Sequence, residues 1–147
     1  MSGSEALDRY LRTQASQDAR RDLASVFVLV SDEGTLAGFY TLSATAVGIT
    51  TLPQTLSRGL PRYPMIPATL LGRLAIDQRF QRQGHGRFLL IDSLRRALRS
   101  EVASHAVLVD AKDDAASRYY EREGFLRFPD EPLRLAISMA AVRRLFA

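Results

Sequence analysis

The chain has 147 residues, 46% of them hydrophobic and 24% charged, which suits one domain (1–147) with a buried core. It has no cysteine, which excludes disulfides, thiolate nucleophiles and cysteine-ligated metals. Two histidines, His85 and His105, are too few and too scattered for a metal site.

No apolar run approaches the ~20 residues of a membrane span. The first five residues lack the basic-then-apolar start of a secretory signal, so a cytoplasmic, metal-free protein that does not enter a membrane is expected. The formal net charge of +4 is unevenly placed. Residues 58–99 carry nine arginines (Arg58, Arg62, Arg73, Arg79, Arg82, Arg87, Arg95, Arg96, Arg99) against Asp77 and Asp92, a net of +7. A basic middle implies a large anionic ligand. The competing explanation is that a polyanionic cofactor or a solvated helix face accounts for most of the charge.

Residues 4–21 read as a helix, with Leu7, Tyr10, Leu11 and Ala15 at helical spacing and Ser4 as cap. Val26 to Val30 reads as a buried strand. Asp32-Glu33-Gly34 is a tight turn into a second strand over 36–44, giving an antiparallel hairpin. Residues 52–67 hold four of the six prolines and read as a loop with one short helix over 54–58. The apolar run 70–76 is the next strand. A helix follows over 87–102, with Leu90, Ile91, Leu94, Leu98 and Val102 on one face.

A strand over 106–109 completes a parallel strand–helix–strand crossover. A short helix over 114–123 is stopped by Gly124, and a last strand over 133–139 precedes a tail helix ending at Phe146. The expected fold class is α/β in the broad sense: a mixed, mostly antiparallel sheet with one parallel crossover and flanking helices.

The most informative stretch is Gln81-Arg82-Gln83-Gly84-His85-Gly86, between the 70–76 strand and the long helix. Glycines at 84 and 86 let main chain approach an anion without a Cβ in the way. The free N–H groups of the following helix, with its positive dipole end, would then hold phosphate. The Gly-x-Gly-x-x-Gly of a dinucleotide-binding fold and the Gly-Lys-Ser/Thr of a P-loop are both absent.

Gln81 through Gly86 resembles the signature of the GNAT superfamily of acyl-CoA-dependent N-acetyltransferases. Tyr120, four residues before Gly124-Phe125, matches a second motif of that family. Three further stretches are similar to the GNAT toxins of bacterial toxin–antitoxin pairs: Tyr40 to Thr45, Leu60-Pro61-Arg62-Tyr63-Pro64, and Leu71 to Asp77. Those toxins acetylate the α-amino group of aminoacyl-tRNA and stop translation. The similarity runs from about Leu7 to Phe146. The N-terminus is short against that family, so its opening strand is expected to be missing or reduced.

The resemblance implies a GNAT-like fold with acetyl-CoA as cofactor. Backbone groups of Leu74, Ala75 and Ile76 would pair with the cofactor's amide arm, as a strand pairs with a sheet edge. Gln81, Arg82, Gln83, Gly84, His85, Gly86 and Arg87 would hold its pyrophosphate. Tyr120 would protonate the departing thiolate or hydrogen-bond it; taken alone, without the two motifs, it reads rather as a tyrosine packing its helix on the sheet. Tyr119 reads as packing or surface.

Asp113 stands where many members carry an asparagine that contacts the cofactor's arm, and an ionised acid cannot donate that bond. Asp77 and Asp110 read as strand-end or capping residues, His85 as filling a variable site, and His105 as a surface residue at a strand start. Arg73, Arg79, Arg82, Arg95 and Arg96 are candidates for tRNA phosphate contacts.

The same resemblance implies a homodimer and a ribbon-helix-helix antitoxin as partner. Two other readings stay open: an enzyme for a small amine or a protein N-terminus, and a non-catalytic acyl-CoA-binding module.

Overall fold

The computed structural model describes residues 16–81 and 83–147. Most of the helix expected over 4–21, and the question of an opening strand, lie outside the described residues. The helix is seen as α1, Ser16–Arg20. There follow β1 (Ser25–Val30), β2 (Leu36–Gly48), α2 (Gln54–Ser57), β3 (Met65–Ile76), α3 (His85–Arg99) and β4 (Ala106–Asp110). The chain continues with α4 (Asp114–Arg122), β5 (Leu126–Arg127), β6 (Arg134–Ser138) and α5 (Met139–Leu145).

The six strands form one sheet in the order β1-β2-β3-β4-β6-β5. β3 and β4 run parallel, joined by α3, while β1/β2, β4/β6 and β5/β6 are antiparallel. This is the expected mixed sheet. Among the described residues no helix is long and apolar enough to cross a membrane.

The element boundaries need correction. β2 runs on to Gly48, and β3 begins at Met65 rather than 70, taking in Pro67, which composition had assigned to a loop. Burial explains the difference: Met65 and Pro67 are exposed while Ile66 and Ala68 are buried, an alternation of period two that the proline disguises. Pro67 lacks a donor but its carbonyl accepts from His105 N–H at 2.9 Å. α3 starts two residues earlier than expected, at His85, and ends at Arg99. β5 has two residues and no sequence signal.

The chain forms two compact units, the first up to Ser43 with Leu71–Leu94, the second Ala44–Leu70 with Arg95–Ala147. In the first, the hairpin turn is closed by Gly34 N–H on the Ser31 carbonyl (2.9 Å) and by Thr35 N–H on Ser31 Oγ (3.1 Å). Gly34 takes φ +82°, which a residue with a Cβ rarely adopts.

Pairing runs from Ser25↔Leu42 to Leu29↔Gly38, then steps to Val30↔Leu36, so Ala37 is one extra residue in β2. Its carbonyl accepts from Asp77 N–H at 2.7 Å. The fully buried Tyr40 stacks on Phe27 (centroids 5.1 Å apart) and donates its hydroxyl to Asp92 of α3 at 2.5 Å. Thr41 Oγ1 accepts from Arg73 N–H at 3.1 Å.

The second unit is built on a core of Val47, Leu52, Leu56, Ile66, Ala68, Ala106, Leu108, Phe128 and Ala136. His105 is more than a surface residue there. Its Nε2 lies 2.9 Å from the Leu56 carbonyl, and its backbone bonds Pro67 and Met139. Ser117, buried on α4, donates to the Pro132 carbonyl at 2.8 Å.

A Cβ on Gly38 would stand 2.7 Å from the Ala75 carbonyl oxygen, 2.7 Å from Ile76 Cδ1 and 3.1 Å from Leu89 Cδ1. The two side chains can turn aside but the backbone oxygen cannot. Gly38→Ala is therefore expected to lower stability by about 1–3 kcal/mol, the usual cost of overpacking, measured by urea denaturation. An unchanged midpoint would contradict this reading of the β2 backbone.

Candidate active site

In the first unit β3 ends at Leu74, Ala75 and Ile76, all half-buried, and the next residue is the buried Asp77. Asp77 is 1% exposed, and Arg79 wraps around it: its backbone N–H (2.8 Å) and Nε (3.1 Å) donate to Oδ1, its Nη2 to Oδ2 (3.4 Å). Burial raises the carboxyl's pKa. The Arg79 hydrogen bonds and positive charge together outweigh that and hold it below its ordinary value. Asp77 is thus the strand-end residue expected, and it turns the chain into the short 3-10 segment Gln78–Phe80.

The glycine turn follows. Gln81 Nε2 reaches back to the Ile76 carbonyl (3.3 Å), and Gln83 Nε2 lies 3.5 Å from the Arg79 carbonyl. Gly84 adopts φ +80°, and a Cβ there would meet nothing within 4 Å. The backbone is therefore in a glycine conformation beside open space. A Cβ on Gly86 would meet only Ile76 Cγ1, at 3.9 Å.

The helical ladder of α3 opens with Phe88 N–H on the Gly84 carbonyl (3.0 Å), so the amides up to Arg87 lie ahead of it. His85 does more than fill a variable site: its ring packs edge-on against Phe80, 6.1 Å between centroids, and the Arg79 guanidinium lies 5.8 Å from the same ring. Arg87 is exposed. Arg82 lies outside the described residues. The turn and the strand end thus form one local unit with open space at Gly84, the geometry a pyrophosphate needs.

In the second unit α4 carries Asp113 and Tyr120. Asp113 is the N-cap: its Oδ1 accepts from Ala116 N–H at 2.8 Å. That is the role open to a carboxylate at this position. Tyr120 is held by the Gly-Phe pair. Gly124 takes φ +105°, the chain doubles back, and Phe125 N–H donates to the Tyr120 carbonyl at 3.0 Å. The buried Phe125 ring meets the Tyr120 ring edge-on at 5.4 Å, and Tyr119 does the same at 5.3 Å.

Desolvation, with a smaller contribution from Tyr119, pushes the Tyr120 hydroxyl up to about 12. It is therefore protonated across the physiological range, a donor rather than a base. The family resemblance pairs Tyr120 with Gly124-Phe125, and the ring contact gives that pairing a physical basis.

Of the candidate phosphate contacts, Arg73 and Arg79 lie in the first unit and Arg95 and Arg96 in the second. All four are exposed. Arg79 is engaged by Asp77, and Arg95 packs its guanidinium over Phe146 at 5.3 Å. Among the described residues no three His, Asp or Glu side chains are grouped to hold a metal ion.

The profile of the "Acetyltransferase (GNAT) domain" family matches residues 3–139. A "tRNA-acetylating toxin" of Mycobacterium tuberculosis (strain ATCC 25618 / H37Rv) is 34% identical over 98% of this chain and 86% of its own length. The solved structure of AtaT complexed with acetyl-methionyl-tRNAfMet superposes with a TM-score of 0.88 at 27% identity, over 100% of this chain and 89% of that one. The crystal structure of AtaTR bound with AcCoA gives a TM-score of 0.83 at 27% identity, over 100% and 88%. With the glycine turn, the tyrosine helix and the crossover in place over nearly the whole length, the chain belongs to the GNAT acetyltransferase family.

Proposed function

We propose that this acetyltransferase transfers the acetyl group of acetyl-CoA to the α-amino group of aminoacyl-tRNA and acts as a toxin on translation. The observation that carries the reading is the whole-length likeness to a tRNA-acetylating toxin and to AtaT holding an acetylated aminoacyl-tRNA. The concentration of nine arginines in residues 58–99 supports it, because a polyanionic substrate needs them and a small cationic amine does not.

Acetyl-CoA supplies the acyl group as an activated thioester and carries a pyrophosphate. The open backbone at Gly84 fits that pyrophosphate, and the amides from Gln83 to Arg87 are our assignment for it, while the Gln81 and Gln83 side chains brace the turn on the Ile76 and Arg79 carbonyls. The backbone of Leu74, Ala75 and Ile76 is our assignment for the amide arm. The Asp113 carboxylate is committed to the α4 cap.

The transfer removes one proton from the amine and places one on the departing sulfur. Tyr120, protonated and desolvated, is the group we assign to donate toward that sulfur. No side-chain base is required. An α-amine titrates near 7.7–8.0, about 2.5 units below a lysine, so a useful fraction is neutral at physiological pH. Arg73, Arg95 and Arg96 are our candidates for the tRNA backbone, with Arg79 sharing its charge between Asp77 and any phosphate.

The protein is further read as one catalytic domain, a homodimer held in check by a ribbon-helix-helix antitoxin, working in the cytoplasm where charged tRNA is found. The toxin resemblance is the support for each of these.

The direct test is purified protein with labelled acetyl-CoA and charged or uncharged tRNA. Label is expected on charged tRNA alone, since only the esterified amino acid offers a free amine. Transfer to polyamines or peptide N-termini, with none to charged tRNA, would overturn the substrate assignment.

In the same assay Tyr120→Phe is expected to lower kcat by roughly 10²–10⁴-fold with acetyl-CoA affinity kept, because only the hydroxyl is lost. Full turnover in that variant, with Tyr119→Phe inactive, would move the role to the neighbouring tyrosine.

The pH profile follows from the raised tyrosine. Activity should rise through about pH 7.7–8.0 as the amine loses its proton, then stay level to about pH 10 because Tyr120 titrates only near 12. An amide-linked aminoacyl analogue, stable in base, allows the measurement. A descending limb centred on pH 10, the ordinary tyrosine value, would contradict the burial of this hydroxyl.

A further inference from the structure

Nothing in the family motif accounts for Arg127. It lies on the two-residue strand β5, just past Phe125, and pairs there with Leu135 of β6. Its guanidinium faces α4 and takes both acids of that helix's ends: Nη1 donates to Asp114 Oδ1 at 2.9 Å, and Nε to Glu121 Oε1 at 2.9 Å. Asp114 and Glu121 are seven residues apart, two helical turns on the same face.

Asp114 is also bonded by Arg118, one turn along. Glu121 adjoins Tyr120 in the chain. The hydrogen bond from Arg127 is the largest influence on Asp114 and holds its carboxyl below the ordinary range.

We propose that Arg127 is a positioning residue for Tyr120: by bridging Asp114 and Glu121 from the sheet edge, it fixes the roll of α4 and so the place of the tyrosine hydroxyl. This rests on the assignment of Tyr120 as proton donor given above. The geometry favours it over a purely stabilising role. Asp114 is 57% and Glu121 44% exposed, and ion pairs so screened add little to stability.

A fork that reaches two turns of one helix instead restrains rotation about the helix axis. The edge-on Phe125 ring resists displacement of Tyr120 on its own side, and the buried Ser117 ties the middle of the helix to the Pro132 carbonyl; the Arg127 fork adds a hold at both ends. An arginine suits the task because its fixed, planar donors can serve two carboxylates at once, whereas a lysine presents a single point charge.

The test is Arg127→Met in the full chain, assayed by steady-state acetyl transfer, alone and combined with Tyr120→Phe. In the otherwise native protein kcat should fall about tenfold or more, with KM for acetyl-CoA unchanged, since a misplaced donor slows the step without touching binding. In the Tyr120→Phe background the same change should add nothing further, because the group being positioned is gone. Arg127→Lys should recover only part of the loss.

Should Arg127→Met fail to fold, Glu121→Gln cuts one arm of the bridge and is expected to show the same pattern at smaller size. An unchanged kcat, or an equal loss in both backgrounds, overturns the positioning role while leaving Tyr120's assignment standing. Full activity of Tyr120→Phe alone would remove the assignment and the positioning role together.

Discussion

The carbonyl oxygen of Ala75 passes 2.7 Å from the point a Cβ on Gly38 would occupy, and the path of the chain from β3 into the glycine turn depends on that approach. Only a residue without a side chain lets the backbone of β2 come so near β3. The extra residue beside it, Ala37, then offers its carbonyl to Asp77 N–H at the point where β3 ends.

Asp77 in turn draws Arg79 around it, and the chain leaves the strand on a fixed path toward Gly84. The glycine turn is usually described by its own residues. Here its placement is set one strand away, by a missing methyl group.

The state of the Tyr120 hydroxyl rests on a different kind of force. Tyr120 owes its character to what is taken away from it: water on the side of Phe125 and Tyr119. Removing solvent from a phenol costs the phenolate far more than the neutral form, so the proton is retained. A group that keeps its proton so firmly is a poor acid in bulk water. It becomes useful opposite a thiolate only if the same exclusion of water strengthens the hydrogen bond between them.

Much of this was legible in the sequence, for identifiable reasons. The glycine turn was visible because glycine spacing carries a backbone requirement, and Gly84 at φ +80° is that requirement met. Tyr120 and Gly124-Phe125 are paired by the family resemblance, which says nothing of their ring contact. Hidden from the sequence were features whose meaning lies in a distant partner. Gly38 looked like any strand glycine until Ala75 was placed beside it. Pro67 concealed five residues of β3, because the proline outweighed an alternation that is plain once burial is known.

His105 appeared to be a surface residue because nothing local announces that its ring reaches Leu56, 49 positions away. β5 escaped notice since two residues cannot display a period. An ionised Asp113 carboxylate can accept but not donate, and that chemistry makes it an N-cap.

The brevity of β5 has one more effect. An edge strand shows a row of unsatisfied amides and carbonyls, and a long flat edge recruits strands from other chains into aggregates. Here that side of the sheet closes on Leu126 and Arg127, a stretch too short to seed a foreign strand, with an arginine already engaged by its own helix.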